Sequence, residues 1–465
     1  MHMKRYLFFI GCALIILSCK SNSRQDASAV VANPTLPTKT ITQNPTWDDQ
    51  AVMYEVNIRQ YTKEGTFNAF ANHVDRLAKM GVDIIWLMPI FPISTEKRKG
   101  SLGSYYSVSN FMETNPEFGS KDDFKNLVDR IHAAGMKVII DWVPNHTGWG
   151  HVWIKEHPDF YTKDSAGNII DPIDPATGKS WGWTDVADLN YDNPDMRKEQ
   201  IKEMEYWINS YNLDGMRYDV AHNVPADFWR TVSDSLRTIR PMLLLGESEV
   251  PQFLNDGSLD CDYGWDFHHL FNEIAQGKQH ASMLDTLLMS DHAKNLKGYH
   301  INFTSNHDEN SWNGTEFERM KEAAKTMAVI AFTVDGMPLL YSGQEEPLKR
   351  RLKFFDKDSI GFKKYEYAPF YKALFDLKHH CTALANGATG ITVKKLSDNK
   401  DSYAFMKTKD SASVVVITNL SKKPISIQLD QDIPEMKEIF TAKLRSFKKG
   451  EKLTLKPWEY QVYSN

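Results

Sequence analysis

Gly215-Met216-Arg217-Tyr218-Asp219 sets a permanent cation two residues before a carboxylate, at the end of a short apolar run. On a strand, residues i and i+2 point to one face. The Arg217 guanidinium is therefore expected beside Asp219, holding it ionised by lowering its pKa. An ionised carboxylate fixed at a strand end can act as a nucleophile. A structural ion pair would use the same two residues, so this motif alone leaves both readings open. Three more polar clusters follow apolar runs: Asp141-Trp142-Val143-Pro144-Asn145-His146, Gly246-Glu247 and Phe303-Thr304-Ser305-Asn306-His307-Asp308. Glu249, two residues after Glu247, would share its face if the strand continued.

Eight runs read as strands: 51–58, 83–88, 137–141, 214–220, 242–247, a weaker one at 261–267, 299–305 and 337–342. Helical patterns lie between them. Phe67, Phe70, Val74 and Leu77 recur at helical spacing, with Gly81 as C-cap. Ser120 to Asp123 reads as a capping box. Asn193-Pro194 is a good N-cap and first-turn pair. Strands alternating with helices imply parallel βα units, and eight of them imply an α/β fold closed as a (β/α)8 TIM barrel over 46–386. Chemistry in such barrels sits at the C-terminal strand ends, where the polar clusters fall. Residues 144–185, rich in Trp, Asp, Gly and Pro, read as a short lobe inserted after strand three. From about residue 387 the pattern changes to short alternating runs, a C-terminal antiparallel β-sandwich over 387–465.

Taken in order, the four clusters resemble the motifs of the α-amylase family, glycoside hydrolase family 13. Gly103-Ser-Tyr-Tyr106-Ser-Val with Asn115-Pro-Glu-Phe-Gly119, Ala187-Asp188-Leu-Asn190 and Met337-Pro-Leu-Leu-Tyr-Ser-Gly-Gln-Glu345 resemble its secondary motifs. The resemblance spans about residues 47–465. It implies Asp219 as nucleophile, Glu247 as acid/base and Asp308 as a third carboxylate that binds sugar hydroxyls and stabilises an oxocarbenium-like state. Glu247 must begin protonated, so its pKa is expected to be raised by burial or nearby negative charge. Arg217 would keep Asp219 charged, His146 and His307 would bind hydroxyls of the sugar being cleaved, and Tyr106 would stack beneath it, with Tyr105 as its competitor. The chemistry implied needs no cofactor. Many family members hold a structural Ca²⁺ between barrel and lobe. Asn145 and Asp188 fall at matching ligand positions, and hard oxygen ligands suit that ion. His222 would add its backbone carbonyl, although it follows Asp219 by three residues where many calcium-binding amylases have four.

The implied activity is retaining hydrolysis of α-glucosidic, mainly α-1,4, bonds in starch-type glucans or maltooligosaccharides. Ser248 replaces an aromatic often found after the acid glutamate, and Val220 resembles α-glucosidase-type members, so endo and exo action stay open. A trehalose-forming isomerase or glucanotransferase on the same fold is the alternative. A non-catalytic glucan-binding lipoprotein fits less well, because all three carboxylates are present.

The 465 residues carry a net charge of −5 with no long basic run, which disfavours a nucleic-acid partner. Residues 2–5 and 6–17 form the basic and apolar regions of a signal peptide, the apolar part too short to span a bilayer comfortably. Ile16-Leu17-Ser18-Cys19 resembles a bacterial lipobox, implying cleavage after residue 18 and lipidation of Cys19. The following Ser-, Asn-, Thr- and Pro-rich stretch to residue 45 reads as a flexible tether. The expected setting is a lipid-anchored enzyme of a bacterial cell envelope, periplasmic or at the outer-membrane surface. Oligomeric state is not legible. Beyond Cys12 and Cys19 in the N-terminal segment, Cys261 and Cys381 are too few for a disulfide framework.

Overall fold

The computed structural model describes residues 45–465 except 175 and 176, and not the side chains of 291–293. Residues 1–44, on which the expected signal peptide, Cys19 lipidation and most of the expected tether fall, lie outside the described residues. Eight short strands form a closed parallel barrel: β1 Met53–Val56, β2 Ile84–Leu87, β3 Lys137–Trp142, β4 Gly215–Tyr218, β5 Leu243–Gly246, β6 Cys261–Tyr263, β7 Tyr299–Asn302 and β8 Met337–Tyr341. Each neighbours its sequence neighbour, and β8 closes against β1.

Strand alternation decides what faces where. Met53, Ile84, Trp86, Ile139, Leu243, Leu245, Ile301 and Leu339 fill the barrel interior. Their sequence neighbours, including Tyr54, Ile85, Val138, Ile140 and Leu244, pack outward against the helices. These strands are buried on both sides, which explains their continuous apolar runs. Gly215 opens β4 because a Cβ there would lie 1.9 Å from the carbonyl oxygen of Leu243 on β5. Arg217 pairs in register with Asp141 on one side and Leu245 on the other.

Several strands are shorter than the sequence implied. β1 stops at Val56, and Ile58–Tyr61 turns into helix. β6 covers only three residues before the helix Trp265–Gln276, and β7 ends at Asn302. The first helical pattern is broken into Phe67–Ala71 and Val74–Met80, the second ending on a left-handed Gly81. The capping box at Ser120 and the Asn193 cap both form.

After β3 the chain leaves the barrel. Strands His146–Gly148 and Val186–Asp188 pair antiparallel and close the base of the excursion, with His146 opposite Asp188. The C-terminal region forms a six-stranded antiparallel sheet and a two-stranded sheet, Ile425–Gln428 with Lys452–Leu455. Their shared core includes Val415, Ile417, Ile427, Phe447 and Leu455. Among the described residues, no helix is long and apolar enough to cross a membrane.

Candidate active site

The C-terminal ends of β3, β4, β5 and β7 meet around Arg217, which is fully buried. Its Nη1 donates to both Asp141 oxygens at 2.9 and 3.1 Å and to Asp219 Oδ1 at 2.9 Å. Its Nη2 lies 2.9 Å from Glu247 Oε2 at an angle that makes no hydrogen bond. The contact with Glu247 is therefore charge attraction alone. Rings of Trp86, Tyr106 and Tyr263 surround the guanidinium, with its carbon 5.2, 5.8 and 5.5 Å from their centroids. One cation thus gathers carboxylates from three strands.

Val220, next after Asp219, adopts a left-handed backbone with φ 47° and ψ 39°. This conformation is strained for a β-branched residue, and such strain is often stored at functional sites. The turn aims the Val220 N–H at Glu247 Oε2, 2.8 Å away. His222, in the same turn, is exposed and its Nδ1 lies 3.2 Å from the Glu247 carbonyl oxygen.

Beyond β7, His307 joins the other side of the site. Its Nδ1 is 2.6 Å from Glu55 Oε1, and its Nε2 is 2.8 Å from the Tyr106 hydroxyl and 3.4 Å from Asp308 Oδ2. Burial disfavours charge on His307, but Asp308 and Glu55 outweigh it and lift its pKa to about 9. Tyr106 stacks on His307 with centroids 5.4 Å apart, and its hydroxyl donates to Asp141 Oδ2 at 3.1 Å. Tyr105 instead faces the core, under Arg59 and edge-on to Phe354. His146 is buried, accepts from Asn145 Nδ2 at 3.2 Å, and is held neutral by burial, its pKa pushed down to about 4.

The structure thus brings together Tyr106, Arg217, Asp219, Glu247, His307 and Asp308, with His146 feeling the charge of Glu247. It corrects two electrostatic expectations. Asp219 is not held low: burial, then repulsion from Glu247, Asp141 and Asp308, outweighs Arg217 and raises its pKa well above the usual carboxylate range. Glu247 is not raised: burial pushes up, but Arg217, the Val220 N–H, His307 and His222 together pull it below its ordinary value. The physical reason is that Arg217 is shared. Glu247 also gains a backbone donor, while Asp219 sits among three other carboxylates.

Sequence reasoning missed Glu55 and gave Asp141 no role. Both are fully buried acids, Glu55 on inward-facing β1 and Asp141 two residues after inward-facing Ile139. The period-two alternation was the signal available. Glu249 stands apart, exposed, accepting the Asp266 N–H at 2.9 Å.

The calcium set assembles only in part. Asn145 and Asp188 are neighbours across the excursion's antiparallel pair, and the Asn145 carbonyl accepts from Leu189 N–H at 3.2 Å. Burial raises the Asp188 carboxyl to about 6, with a hydrogen bond from Thr162 opposing and Asp171 adding to the rise. Among the described residues no group of three or more His, Cys, Asp or Glu side chains is arranged to hold a metal. Asn145 and Asp188 supply hard oxygens of the kind Ca²⁺ takes, and no step of the chemistry below runs through a metal.

Comparison with known proteins places residues 39–359 in a match to the alpha-amylase catalytic domain model. The alpha-amylase MalA of Haloarcula japonica is 25% identical over 404 residues, covering 83% of this chain and 57% of that protein. A cyclomaltodextrinase from a Bacillus species is 26% identical, covering 77% of this chain and 66% of its own length. This chain therefore spans only part of these two relatives. Among solved structures, a noncanonic maltogenic alpha-amylase AmyB from Thermotoga neapolitana superposes with a TM-score of 0.79 at 26% identity, over 89% of this chain and 98% of that one.

Proposed function

The chain belongs to the alpha-amylase family of glycoside hydrolases, and on that premise we propose that it is a retaining hydrolase of α-1,4-glucosidic bonds in starch-type glucans or maltooligosaccharides. The observation that carries the proposal is the sharing of one guanidinium by Asp219 and Glu247, with Asp308 beside His307. Sharing favours the close carboxylate spacing, about 5 Å, used in double displacement. The names of its relatives, an alpha-amylase, a cyclomaltodextrinase and a maltogenic alpha-amylase, support the substrate class.

In the proposed reaction, an Asp219 oxygen attacks the anomeric carbon while Glu247 gives its proton to the departing glycosidic oxygen. Water then attacks the same carbon, Glu247 takes back a proton, and Asp219 leaves with configuration retained. Asp308, His307 and His146 bind hydroxyls of that sugar, and Tyr106 lies beneath it.

Five carboxylates, Glu55, Asp141, Asp219, Glu247 and Asp308, face two cations, Arg217 and His307. They cannot all ionise together. Burial and mutual repulsion raise Glu55, Asp141, Asp219 and Asp308, whereas Glu247 is lowered. In the proposed reaction the acid step needs Glu247 protonated, so bound substrate has to raise its pKa. Glu247 Oε2 is held by the Val220 N–H and by the Arg217 charge, which leaves Oε1 as the oxygen to meet the glycosidic oxygen.

A lipid anchor at Cys19, read from the sequence, would place the enzyme at a bacterial envelope where it meets extracellular or periplasmic glucan. The activity is tested by a product time-course on maltoheptaose and pullulan. New reducing ends from the wild type support hydrolysis, and the product lengths separate endo from exo action. Rearranged or elongated glucan without new reducing ends would replace the proposal with a transferase or isomerase.

A further inference from the structure

Two aromatic clusters rise from opposite sides of the barrel mouth. In the closed strand order, β3 and β7 are four strands apart in either direction. The excursion after β3 carries Trp181 and Trp183, stacked with centroids 5.8 Å apart and planes at 19°. Trp183 meets His146 edge-on at 5.8 Å. Trp181 is 40% exposed, unusual for so large an apolar ring. The turn after β7 carries Trp312, which is 50% exposed and rests on Phe354 at 5.0 Å and Phe355 at 5.6 Å. Phe354 in turn lies parallel to Tyr106 at 6.4 Å and 11°. Each exposed indole is thus joined to the catalytic centre by a chain of ring contacts.

We propose that Trp181 and Trp312 are binding platforms for sugar units beyond the scissile bond, one at each end of the cleft, making this enzyme selective for α-glucan chains longer than a trisaccharide. A pyranose presents apolar C–H faces that gain by covering an aromatic ring, and an indole offers the largest such area. Exposed aromatic surface continuous with a polar catalytic cleft is what a chain-shaped sugar ligand fits. Both ring clusters are braced by their own neighbours, so little side-chain freedom is lost on binding. The inference rests on the glucan-hydrolase reading and adds the length of chain the site selects.

The test compares wild type, Trp181→Ala, Trp312→Ala and Trp181→Phe on maltotriose and maltoheptaose, with Tm measured for each. Platforms predict that each alanine variant lowers kcat/KM on maltoheptaose about tenfold, through KM. Activity on maltotriose would change less than about twofold, and Trp181→Phe would retain most of the long-chain preference. Equal losses on both substrates, or no loss on maltoheptaose, would overturn the proposal. Should the wild type cleave neither sugar, the hydrolase reading fails. Maltoheptaose binding to the same variants by calorimetry then decides the platforms separately: weakened binding keeps them, and unchanged binding removes them.

Discussion

Removing the charge of Asp219 while keeping its shape isolates nucleophilic attack from the packing around Arg217. Asp219→Asn is expected to bind maltoheptaose and to lose at least about 10³-fold in kcat, read from initial rates. Glu55 offers a subtler residue-scale test. It grips His307 Nδ1 and, with Asp308, keeps the imidazole charged to a pKa of about 9. Because that folded value lies above the unfolded value near 6.5, the stability from this charge is complete below about pH 6.5 and is lost as pH rises through about 9. Glu55→Gln keeps an oxygen acceptor but removes the negative charge. The His307 pKa, followed by NMR of labelled imidazole, should fall by at least about one unit, with kcat/KM on maltoheptaose falling about tenfold at pH 8. An unmoved pKa would mean that Asp308 alone holds the charge.

Elements set these residues to within hydrogen-bonding distance. The approach of β4 to β5 at Gly215 fixes how near Arg217 comes to Glu247. Gly215→Ala should force the strands apart and cost several kcal/mol, seen as a large fall in Tm or in folded yield. At the start of the excursion, the buried His151 caps the helix Val152–Glu156 and is kept neutral by burial, its pKa lowered to about 3. A histidine depressed this way loses folded-state stability as pH falls below its unfolded value, because only the unfolded chain takes the proton. Between pH 7 and pH 5 that is about 2 kcal/mol. His151→Asn keeps a capping side chain, so the wild type should lose about 2 kcal/mol more than the variant over that interval in urea titrations.

The same scale shows what was legible beforehand. Seven of the eight strands stand out as apolar runs, the sixth at Cys261 only weakly, and the capping signals at Ser120 and Asn193 are local, so each needs only its own few residues. Strand ends were not legible. At Ile58 and Trp265 the chain turns to helix although β-favouring residues continue, because backbone pairing stops at the barrel rim. The residues proposed for catalysis are legible as motifs, but their electrostatics are not. Whether Arg217 lowers Asp219 depends on how many carboxylates share it, and Asp141 and the Val220 N–H enter that account only once strands β3, β4 and β5 are side by side. Glu55 was missed because its partner His307 lies 252 positions along the chain.

At the scale of the whole molecule, the C-terminal sheets are tied to the barrel by a buried lysine. Lys407 Nζ contacts Asp335 Oδ1 at 2.6 Å, with Lys407 almost fully buried and Asp335 partly exposed. Asp335→Ala strands that ammonium. Discounted for the exposure of Asp335, the expected cost is about 2 kcal/mol, a fall of several degrees in Tm with kcat on maltoheptaose preserved. The catalytic claim is more direct to test. Proton NMR of maltoheptaose cleavage, recorded before mutarotation, reports the configuration of each new reducing end. The shared guanidinium and double displacement predict α-configured ends from the wild type and none from Asp219→Asn. Ends of β configuration would mean an inverting enzyme with a water between its carboxylates, and would contradict the assignment of Asp219 as nucleophile.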